Sequence, residues 1–424
     1  MSCRAFPMIF PQRISLCEYP ENGPTPTRPR GVPRMTSLAL PPFIMTSDEN
    51  SFARETIASR KPLIIDQVLI DNNYSASLQE ALLHFKDELV SGQIRLLEEE
   101  TEDRPIWDHD IRPWLGKTWL EIPWYLAEAY FFRRVLEATG YFQPGPWQGY
   151  DPFNKLKEIE IKKALPFFTQ SYLQAETHHS EESFKNALNN ALWGNQVDLS
   201  NLDKEFSSHT RPHGNLLRDD TSDAYEYLMQ KPAKTVYFFD NVGKELYFDL
   251  ALLDHLLQHE GVPAITCLLK NQPFFVSDVM EKDFLSALNQ LLSSGENRIQ
   301  DLGLRLQTAL LEGSIQIETP PFLTTGRMYR QLPDDLITLL RDSDLTILKG
   351  EVNYRRLVGD RHWEPTTPIG RAAVYFPSTF LSLRTIKAEL ILGLTQNQIG
   401  RLEREAEPGW MISGDWGLIT FLKK

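Results

Sequence analysis

The chain has 424 residues, 42% of them hydrophobic and 24% charged, which is long enough for two or three domains with substantial cores. A net charge of −13 without a Lys/Arg stripe argues against a nucleic-acid partner, and no apolar run reaches the roughly 18 residues that a membrane span needs. Cys3, Cys17 and Cys267 lack pairing or metal-ligand spacing, which indicates a reducing compartment. We expect the cytoplasm, with the nucleus as the alternative.

Residues 1–45 are rich in Pro and Arg and predict a disordered tail. Two interpretations of this tail stay open. Its excess of Arg over acids is a feature of targeting peptides, although prolines and glutamates interrupt it. A translation start at Met35 or Met45 would instead leave at least residues 1–34 untranslated.

Residues 46–205 predict a helical domain, because apolar residues recur there at helical spacing. Pro62 should divide the first of these segments. The predicted helical segments are 51–71, 78–100, 120–140, 159–174 and 182–193.

Residues 206–424 alternate short apolar runs with helices, which predicts an α/β domain with a mostly parallel, doubly wound sheet. Helices are predicted between the strands, notably at 246–259 and 282–292. The strand candidates are 235–239, 264–269, 345–348, 388–392 and 418–422.

Asp240 and Asn241 end the first of these apolar runs. Ligands of open α/β sheets bind at the carboxyl ends of strands, and carboxylate and amide oxygens suit Mg²⁺ or Mn²⁺. An Asp-Asn turn that caps the following helix is the alternative. Asp278 ends another apolar run and could complete a three-ligand face, or it could cap a helix that starts near Met280.

Polar residues also follow the strand candidate 345–348. Gly350 allows a close turn past a ligand, and Lys349, Asn353 and Arg355 could donate to phosphate oxygens. A solvated polar loop is the alternative. Further on, Arg384, Thr385 and Lys387 would lie at the amino end of the strand candidate 388–392, where surface solvation is the simpler interpretation.

Several established motifs are absent from the sequence. It contains no G-x-x-x-x-G-K-[ST] phosphate loop, no G-x-S-x-G nucleophile elbow and no G-x-G-x-x-G after a strand. Asp240 also lacks a second Asp two residues later, as haloacid-dehalogenase-type phosphatases would have.

Six segments in order, from about residue 50 to the end, resemble the family once labelled domain of unknown function 89 and now described as metal-dependent damage-control phosphatases. The Arg-Thr-x-Lys motif resembles the mark of its subfamily III, which includes sugar-phosphate phosphatases and proteins described as protein-glutamate O-methyltransferases. The segments are Trp119–Arg134, Leu192–Ser200, Asp240–Leu246, Phe275–Asp278, Lys349–Asp360 and Ser382–Glu389.

The resemblance implies a Rossmann-like α/β/α doubly wound sheet with an N-terminal all-helical domain. It implies that Asp240, Asn241 and Asp278 bind Mn²⁺ or Mg²⁺, with Co²⁺ or Ni²⁺ as options, and that Asp240, Asn241 and Lys387 take part in catalysis. The residues that it places against the substrate are Glu351, Asn353, Tyr354, Arg355 and Lys387. Glu351 stands where the family commonly has Asp, and Val242 where it usually has Ala or Ser, which puts substrate preference in question.

The expected activity is hydrolysis of a small phosphorylated metabolite, such as fructose-1-phosphate or fructose-6-phosphate. The attacking group is either metal-activated water or the Asp240 carboxylate, and the sequence does not separate them. An S-adenosylmethionine-dependent protein-glutamate O-methyltransferase and a non-catalytic scaffold are the rival interpretations. No nucleic-acid or membrane partner is expected, and the oligomeric state stays open.

Overall fold

The computed structural model describes residues 40–174, 180–194, 215–230, 233–259 and 261–424. Most of the predicted tail and the predicted domain boundary at 205 lie outside these residues. Residues 41–424 form one compact unit. No helix in the described part of the chain is long and apolar enough to cross a bilayer.

The N-terminal part of the described chain is helical. The helical backbone continues from Phe52 to Asp71, and a π-helical turn directly before the helix Lys61–Asp71 accommodates Pro62, which has no N–H to donate, so the segment is interrupted there but not divided. The helices are α1 (Phe52–Glu55), the π-helical turn (Thr56–Arg60), α2 (Lys61–Asp71), α3 (Ala76–Ser91), α4 (Arg104–Ile111), a 3-10 turn (Arg112–Trp114), α5 (Trp124–Ala138), α6 (Asn154–Gln174) and α7 (Glu181–Trp193).

The remainder alternates strands with helices, as predicted. The strands are β1 (Leu216–Asp219), β2 (Thr235–Phe238), β3 (Ile265–Leu268), β4 (Ile315–Glu318), β5 (Leu345–Lys349), β6 (Phe380–Thr385) and β7 (Gly417–Leu422). The helices are α8 (Thr221–Gln230), α9 (Lys244–His259), α10 (Glu281–Leu292), α11 (Asn297–Glu312), α12 (Asp334–Asp342), α13 (Gly350–Val358), α14 (Ile369–Ala372), α15 (Gln396–Glu405) and α16 (Trp410–Ser413), with 3-10 turns at Pro321–Thr324 and Tyr329–Gln331.

The seven strands form one mixed sheet in the order β1-β7-β6-β5-β2-β3-β4, which confirms the α/β prediction. β2 runs parallel to β3 and β5, β6 runs parallel to β5, and β7 is antiparallel to β6. From β2 the chain proceeds to β3 and β4 on one side, and then crosses to β5 and β6 on the other. The carboxyl ends of β2 and β5 therefore meet at a topological switch point, where such sheets bind ligands.

The strand prediction at 388–392 is wrong. The strand is β6, and the segment after it is irregular although Leu390, Ile391 and Leu392 are buried. The polar residues Ser382 and Arg384 interrupt the apolar pattern of β6 in the sequence, yet both are buried within the sheet. This correction moves the Arg-Thr-x-Lys segment to the carboxyl end of a parallel strand.

Two apolar cores account for the packing. One contains residues of α1 to α5 together with Leu348 and Tyr354, and the other contains residues of α6 and α7 together with β2 and α9. β2 and β5 are buried along their whole length, as expected for central parallel strands. The edge strands β1 and β4 were not predicted, because each is four residues long and partly polar.

Candidate active site

Asp240 and Asn241 lie directly beyond the carboxyl end of β2, and Asp278 is held opposite them by the backbone. The N–H of Val242 donates to the carbonyl of Ser277 at 2.8 Å, and the N–H of Val279 donates to the carbonyl of Asp240 at 2.9 Å. These bonds make Asn241 and Asp278 partners in an isolated antiparallel bridge. The structure thus brings the three predicted metal ligands together.

The side chains of the two aspartates are buried and have oxygens without hydrogen-bond partners. Oδ1 of Asp240 and Oδ1 of Asp278 accept no hydrogen bond from any described residue. Oδ2 of Asp240 accepts from Nδ2 of Asn241 at 2.9 Å, and Oδ2 of Asp278 lies 2.8 Å from Nζ of Lys270. Two buried carboxylate oxygens without donors are the chemistry of a cation site.

The electrostatics of the site agree with this interpretation. Burial raises the pKa of Asp240 well above its ordinary value, and the negative charges of Glu245 and Asp278 raise it further. Burial likewise raises the pKa of Asp278, although Lys270 opposes the rise. Packing carboxylates this closely is unfavourable unless protons or a cation offset their charge.

The donor set fits a hard divalent cation better than zinc. Among the described residues, no group of three or more His, Cys, Asp or Glu is placed to hold a metal. The candidate ligands are instead two carboxylates and one amide, Asp240, Asp278 and Asn241. Few protein ligands, all oxygens, leave positions for water and a phosphate oxygen, as Mg²⁺ and Mn²⁺ sites commonly do.

Gly350 allows β5 to pass close to Asp240. Its φ is +80°, and a Cβ built on it would overlap the Asp240 carboxylate. Both the left-handed backbone and the contact therefore require glycine here. The expectation that Gly350 lets the chain turn closely past the site is consistent with this contact.

Lys349 lies beneath the site and binds protein groups. Its Nζ donates to the carbonyl of Ala191 at 2.6 Å and lies 3.1 Å from Glu245 and 3.3 Å from Asp249. The side chain is buried, so its ammonium stabilises the carboxylates of Glu245 and Asp249 below the site. The expectation that Lys349 donates to phosphate is not supported by this arrangement.

Asn353 and Arg355, two predicted substrate ligands, are also bound by protein groups. Nδ2 of Asn353 donates to the carbonyl of Lys349 at 2.7 Å and to that of Phe239 at 3.3 Å, so the amide joins the ends of β5 and β2. The Arg355 guanidinium forms ion pairs with Asp360 at 2.7 Å and Glu128 at 2.6 Å. Their contact with substrate stays a prediction, and the structure gives both a positioning role.

Glu351 and Tyr354, one turn apart on α13, face the segment that follows β6. Glu351 accepts both hydrogen bonds of a paired Arg384 guanidinium, at 2.9 and 2.8 Å. The same guanidinium lies 4.0 Å from the centre of the Tyr354 ring, and the Tyr354 hydroxyl accepts from the N–H of Leu392 at 3.2 Å. These two predicted substrate ligands thus contact the Arg-Thr-x-Lys segment.

Lys387 differs from Lys349 and Arg355, whose cations are bound by buried carboxylates. It follows the carboxyl end of β6, its backbone N–H donates to Glu351 at 2.8 Å, and its side chain is half-buried. Its ammonium makes no hydrogen bond or ion pair with any residue that the structure describes. This position corrects the inference that the segment precedes a strand and is merely solvated.

Sequence reasoning did not identify Lys270, Glu245 and Ser277. Lys270 pairs with Asp278, Glu245 accepts from Nδ2 of Asn241 at 3.2 Å, and the Ser277 hydroxyl donates to Oδ1 of Asn241 at 2.7 Å. Two signals were available. Lys270 directly follows an apolar run, and Glu245 lies four residues after Asn241 at the start of a helix.

The backbone before Asp278 is strained. Phe275 and Val276 have φ values of 42° and 48°, in the left-handed region that non-glycine residues, and β-branched ones above all, rarely adopt. Such strain persists where surrounding contacts determine the conformation, and it is common at functional sites. Here it accompanies the turn that directs Asp278 toward Asn241.

Comparison with known proteins gives a consistent set of relatives. A family model described as the damage-control phosphatase ARMT1-like domain matches residues 56–402. Proteins named damage-control phosphatase ARMT1 are similar: the one from Danio rerio is 29% identical over 90% of this chain and 97% of its own, and the one from Mus musculus is 30% identical over 90% and 98%. A DUF89 family protein from Pyrococcus horikoshii covers 88% of this chain and 98% of its own at a TM-score of 0.48 and 15% identity, too distant to argue from.

Proposed function

The chain belongs to the damage-control phosphatase ARMT1-like family, and from that premise we propose that it hydrolyses small sugar phosphates with the help of a divalent metal. One observation carries the metal part of the proposal. The buried aspartates Asp240 and Asp278 each have a carboxylate oxygen that accepts no hydrogen bond from a described residue, and the backbone bridge between Asn241 and Asp278 holds them close together. Fructose-1-phosphate and fructose-6-phosphate are the first candidate substrates, and Mn²⁺ and Mg²⁺ the first candidate metals.

Asp240, Asn241 and Asp278 would hold the cation. When bound, a divalent cation supplies Lewis acidity, which draws charge from phosphorus. The chain itself supplies orientation. Ser277 donates to the Asn241 amide oxygen at 2.7 Å, which fixes the side from which that oxygen could bind a cation, and Lys270 lies 2.8 Å from Oδ2 of Asp278, which leaves Oδ1 without a donor. Such supporting contacts commonly set metal affinity.

Lys387 would bind the phosphate. Phosphoryl transfer depends mainly on positioning and on neutralising the charge of the phosphate oxygens. The Lys387 ammonium has no partner among the described residues, whereas the cations of Lys349 and Arg355 are taken up by buried carboxylates. We therefore assign the phosphate contact to Lys387 and a positioning role to Arg355.

The attacking group stays open between two choices. In the first, Oδ1 of Asp240, which accepts no hydrogen bond from a described residue, forms a bond to phosphorus as the bond to the sugar oxygen breaks. Water then releases the phosphate from the aspartate. In the second, water attacks directly. The configuration at phosphorus of a substrate made chiral with oxygen isotopes distinguishes them, because two successive displacements retain the configuration and a single displacement inverts it.

The experiment is phosphate release from a panel of p-nitrophenyl phosphate, fructose-1-phosphate and fructose-6-phosphate. The protein is treated with a chelator and then given Mn²⁺, Mg²⁺, Co²⁺ or Ni²⁺. Asp278→Asn is compared with the wild type, and Asp254→Asn is the matched control, because Asp254 pairs with Arg305 at 2.7 Å outside the site.

We expect metal to restore activity in the wild type and the control but not in Asp278→Asn, with a loss of at least about 100-fold. Folded wild type without activity on any substrate or metal would contradict the proposal. S-adenosylmethionine binding would then be measured, because it is the prediction of the methyltransferase alternative. Activity on p-nitrophenyl phosphate alone would support phosphatase activity but would argue against fructose-1-phosphate and fructose-6-phosphate as substrates.

A further inference from the structure

We infer that Glu351 is a positioning residue that acts through Lys387, with Arg384 as its partner, rather than a group that contacts substrate. The inference rests on the proposed function, because Lys387 is the proposed phosphate ligand. It begins from the carboxylate of Glu351, which accepts three hydrogen bonds from one short segment.

The first part of the argument is the bond pattern. Arg384 donates to the two oxygens of Glu351 from Nε at 2.9 Å and from Nη2 at 2.8 Å. Oε2 also accepts from the backbone N–H of Lys387 at 2.8 Å. Paired Arg–carboxylate bonds fix orientation as well as distance. Three donors on one carboxylate leave it little capacity for a sugar hydroxyl.

The second part is burial. The Arg384 side chain is 0% exposed and that of Glu351 15% exposed, so the pair has little competition from water. The guanidinium also lies 4.0 Å from the centre of the Tyr354 ring, which comes from the next turn of α13. One face of α13 therefore supports the segment after β6 at two points.

The third part is how the backbone beside Lys387 is held. The N–H of Ile386 donates to the carbonyl of Trp416 at 2.8 Å, and that of Gly414 donates to the carbonyl of Ile386 at 3.0 Å, both toward β7. The bond from the Lys387 N–H to Glu351 is the contact that sets where the Lys387 side chain begins, whereas Glu389 and Leu392 hold the segment further on. Removing the Glu351 carboxylate would therefore free the backbone at Lys387 while the rest of the segment stays in place.

A double-mutant cycle tests this inference. The variants are Glu351→Gln, Lys387→Met and both together, assayed for kcat and KM on the best sugar phosphate of the panel and on p-nitrophenyl phosphate. Asp254→Asn is again the control, because it also removes a carboxylate paired with an arginine, at 2.8 and 2.7 Å. Mn²⁺ affinity is measured on every variant.

If Glu351 acts through Lys387, each single variant lowers kcat/KM by about 10- to 100-fold and the double variant is no worse than Lys387→Met. Mn²⁺ affinity stays at the wild-type value, which a general loss of structure would not allow. Losses that multiply in the double variant would overturn the inference, because they indicate an independent substrate contact. Wild-type activity in Glu351→Gln would also overturn it.

Two further comparisons keep the result decisive. If Glu351→Gln fails to fold, Glu351→Asp replaces it in the same cycle, since it keeps the charge and shortens the reach. An inactive wild type would contradict the proposed function before any variant is compared. An active wild type with multiplying losses would contradict only the role of Glu351.

Discussion

At the scale of single residues, Gly350 is the position where one methyl group should have the largest effect. Gly350→Ala places a Cβ against the Asp240 carboxylate and adds the cost of a left-handed backbone. We expect loss of metal-dependent activity by at least about 100-fold and a lower free energy of unfolding. Phosphate release and urea denaturation measure the two effects.

Gly313→Ala is the matched control for this variant. Gly313 has a φ of +81° at the end of α11, and a Cβ there would meet nothing within 4 Å. It should lose about 1 kcal/mol of stability from backbone strain and keep full activity. Equal activity losses in both variants would contradict the role that we give to Gly350.

Asp249 should make stability depend on pH. It is buried beneath the site, 3.3 Å from Lys349, and accepts from the Tyr237 hydroxyl at 2.9 Å. Burial raises the pKa of Asp249 from 3.8 to about 7. Between these values Asp249 holds more protons in the folded protein than in the unfolded chain, so the contribution of this carboxyl to stability falls as the pH rises and becomes constant above about pH 7.

Asp249→Asn removes this dependence. In chelator-treated protein, the variant should gain about 2 kcal/mol relative to wild type between about pH 5 and pH 8. Urea denaturation at a series of pH values gives the difference directly. A constant difference across the range would show that the Asp249 carboxylate does not titrate there.

Single residues also show how far the sequence could predict the site. The proximity of Asp240, Asn241 and Asp278 was predictable because they lie at the ends of two apolar runs, although only the first run forms a strand, and a backbone bridge brings Asp278 to it. The contacts of Glu351 and Arg355 were not predictable. A sequence motif does not show whether a carboxylate or guanidinium binds substrate or another side chain. The fold brings Arg384 to Glu351, and Glu128 and Asp360 to Arg355.

At the scale of elements, α6 holds the segment that carries Asp278. Nζ of Lys157 donates to the carbonyl of Asp278 at 2.8 Å and to Asp283 at 2.9 Å, at the start of α10. Lys157→Met would leave Asp283 without its cation, while Asp151 would keep its pairing with Lys282 at 3.0 Å. We expect a loss of about 3 kcal/mol in the free energy of unfolding and weaker Mn²⁺ binding.

Lys155→Met is the control on the same helix. Its side chain is 53% exposed and pairs with Asp71 at 2.9 Å. Removing this exposed lysine should cost at most about 1 kcal/mol and leave Mn²⁺ affinity unchanged, because Asp71 still accepts from Nε2 of Gln67. Urea denaturation and Mn²⁺ titration on both variants check the prediction, and equal losses would argue against a special role for Lys157.

The elements that the sequence did not predict have a common physical reason. Strand prediction relies on apolar runs, and the run at 388–392 is buried without pairing in the sheet. β6 was missed because Ser382 and Arg384 interrupt its pattern, although Arg384 is completely buried. A buried arginine depends on its partner Glu351, which is 33 residues away in the chain.

At the scale of the whole molecule, the N-terminal helices and the sheet share both cores. Phe168 of α6 stacks on Tyr247 of α9, with ring centres 5.4 Å apart. Glu128 of α5 joins Lys61 at 2.8 Å and Arg355 of α13 at 2.6 Å, all three buried. These contacts cross the predicted division between residues 46–205 and 206–424.

We therefore expect residues 41–424 to unfold in one cooperative transition. Calorimetry should give a single peak whose van't Hoff enthalpy equals the calorimetric enthalpy. Glu128→Gln should shift this peak to lower temperature by removing the charge between two buried cations, at a cost of about 3 kcal/mol or more. Two separate transitions, with only one affected by the variant, would instead support two independent domains.

The most direct test of the account is a titration of activity with metal. Chelator-treated protein is given increasing Mn²⁺, and both bound metal and phosphate release from a sugar phosphate are measured per chain. The account predicts that activity rises with bound metal and becomes constant at one Mn²⁺ per chain, and that Asp278→Asn neither binds nor hydrolyses. Hydrolysis that is independent of bound metal, or tight Mn²⁺ binding that survives in Asp278→Asn, would contradict it.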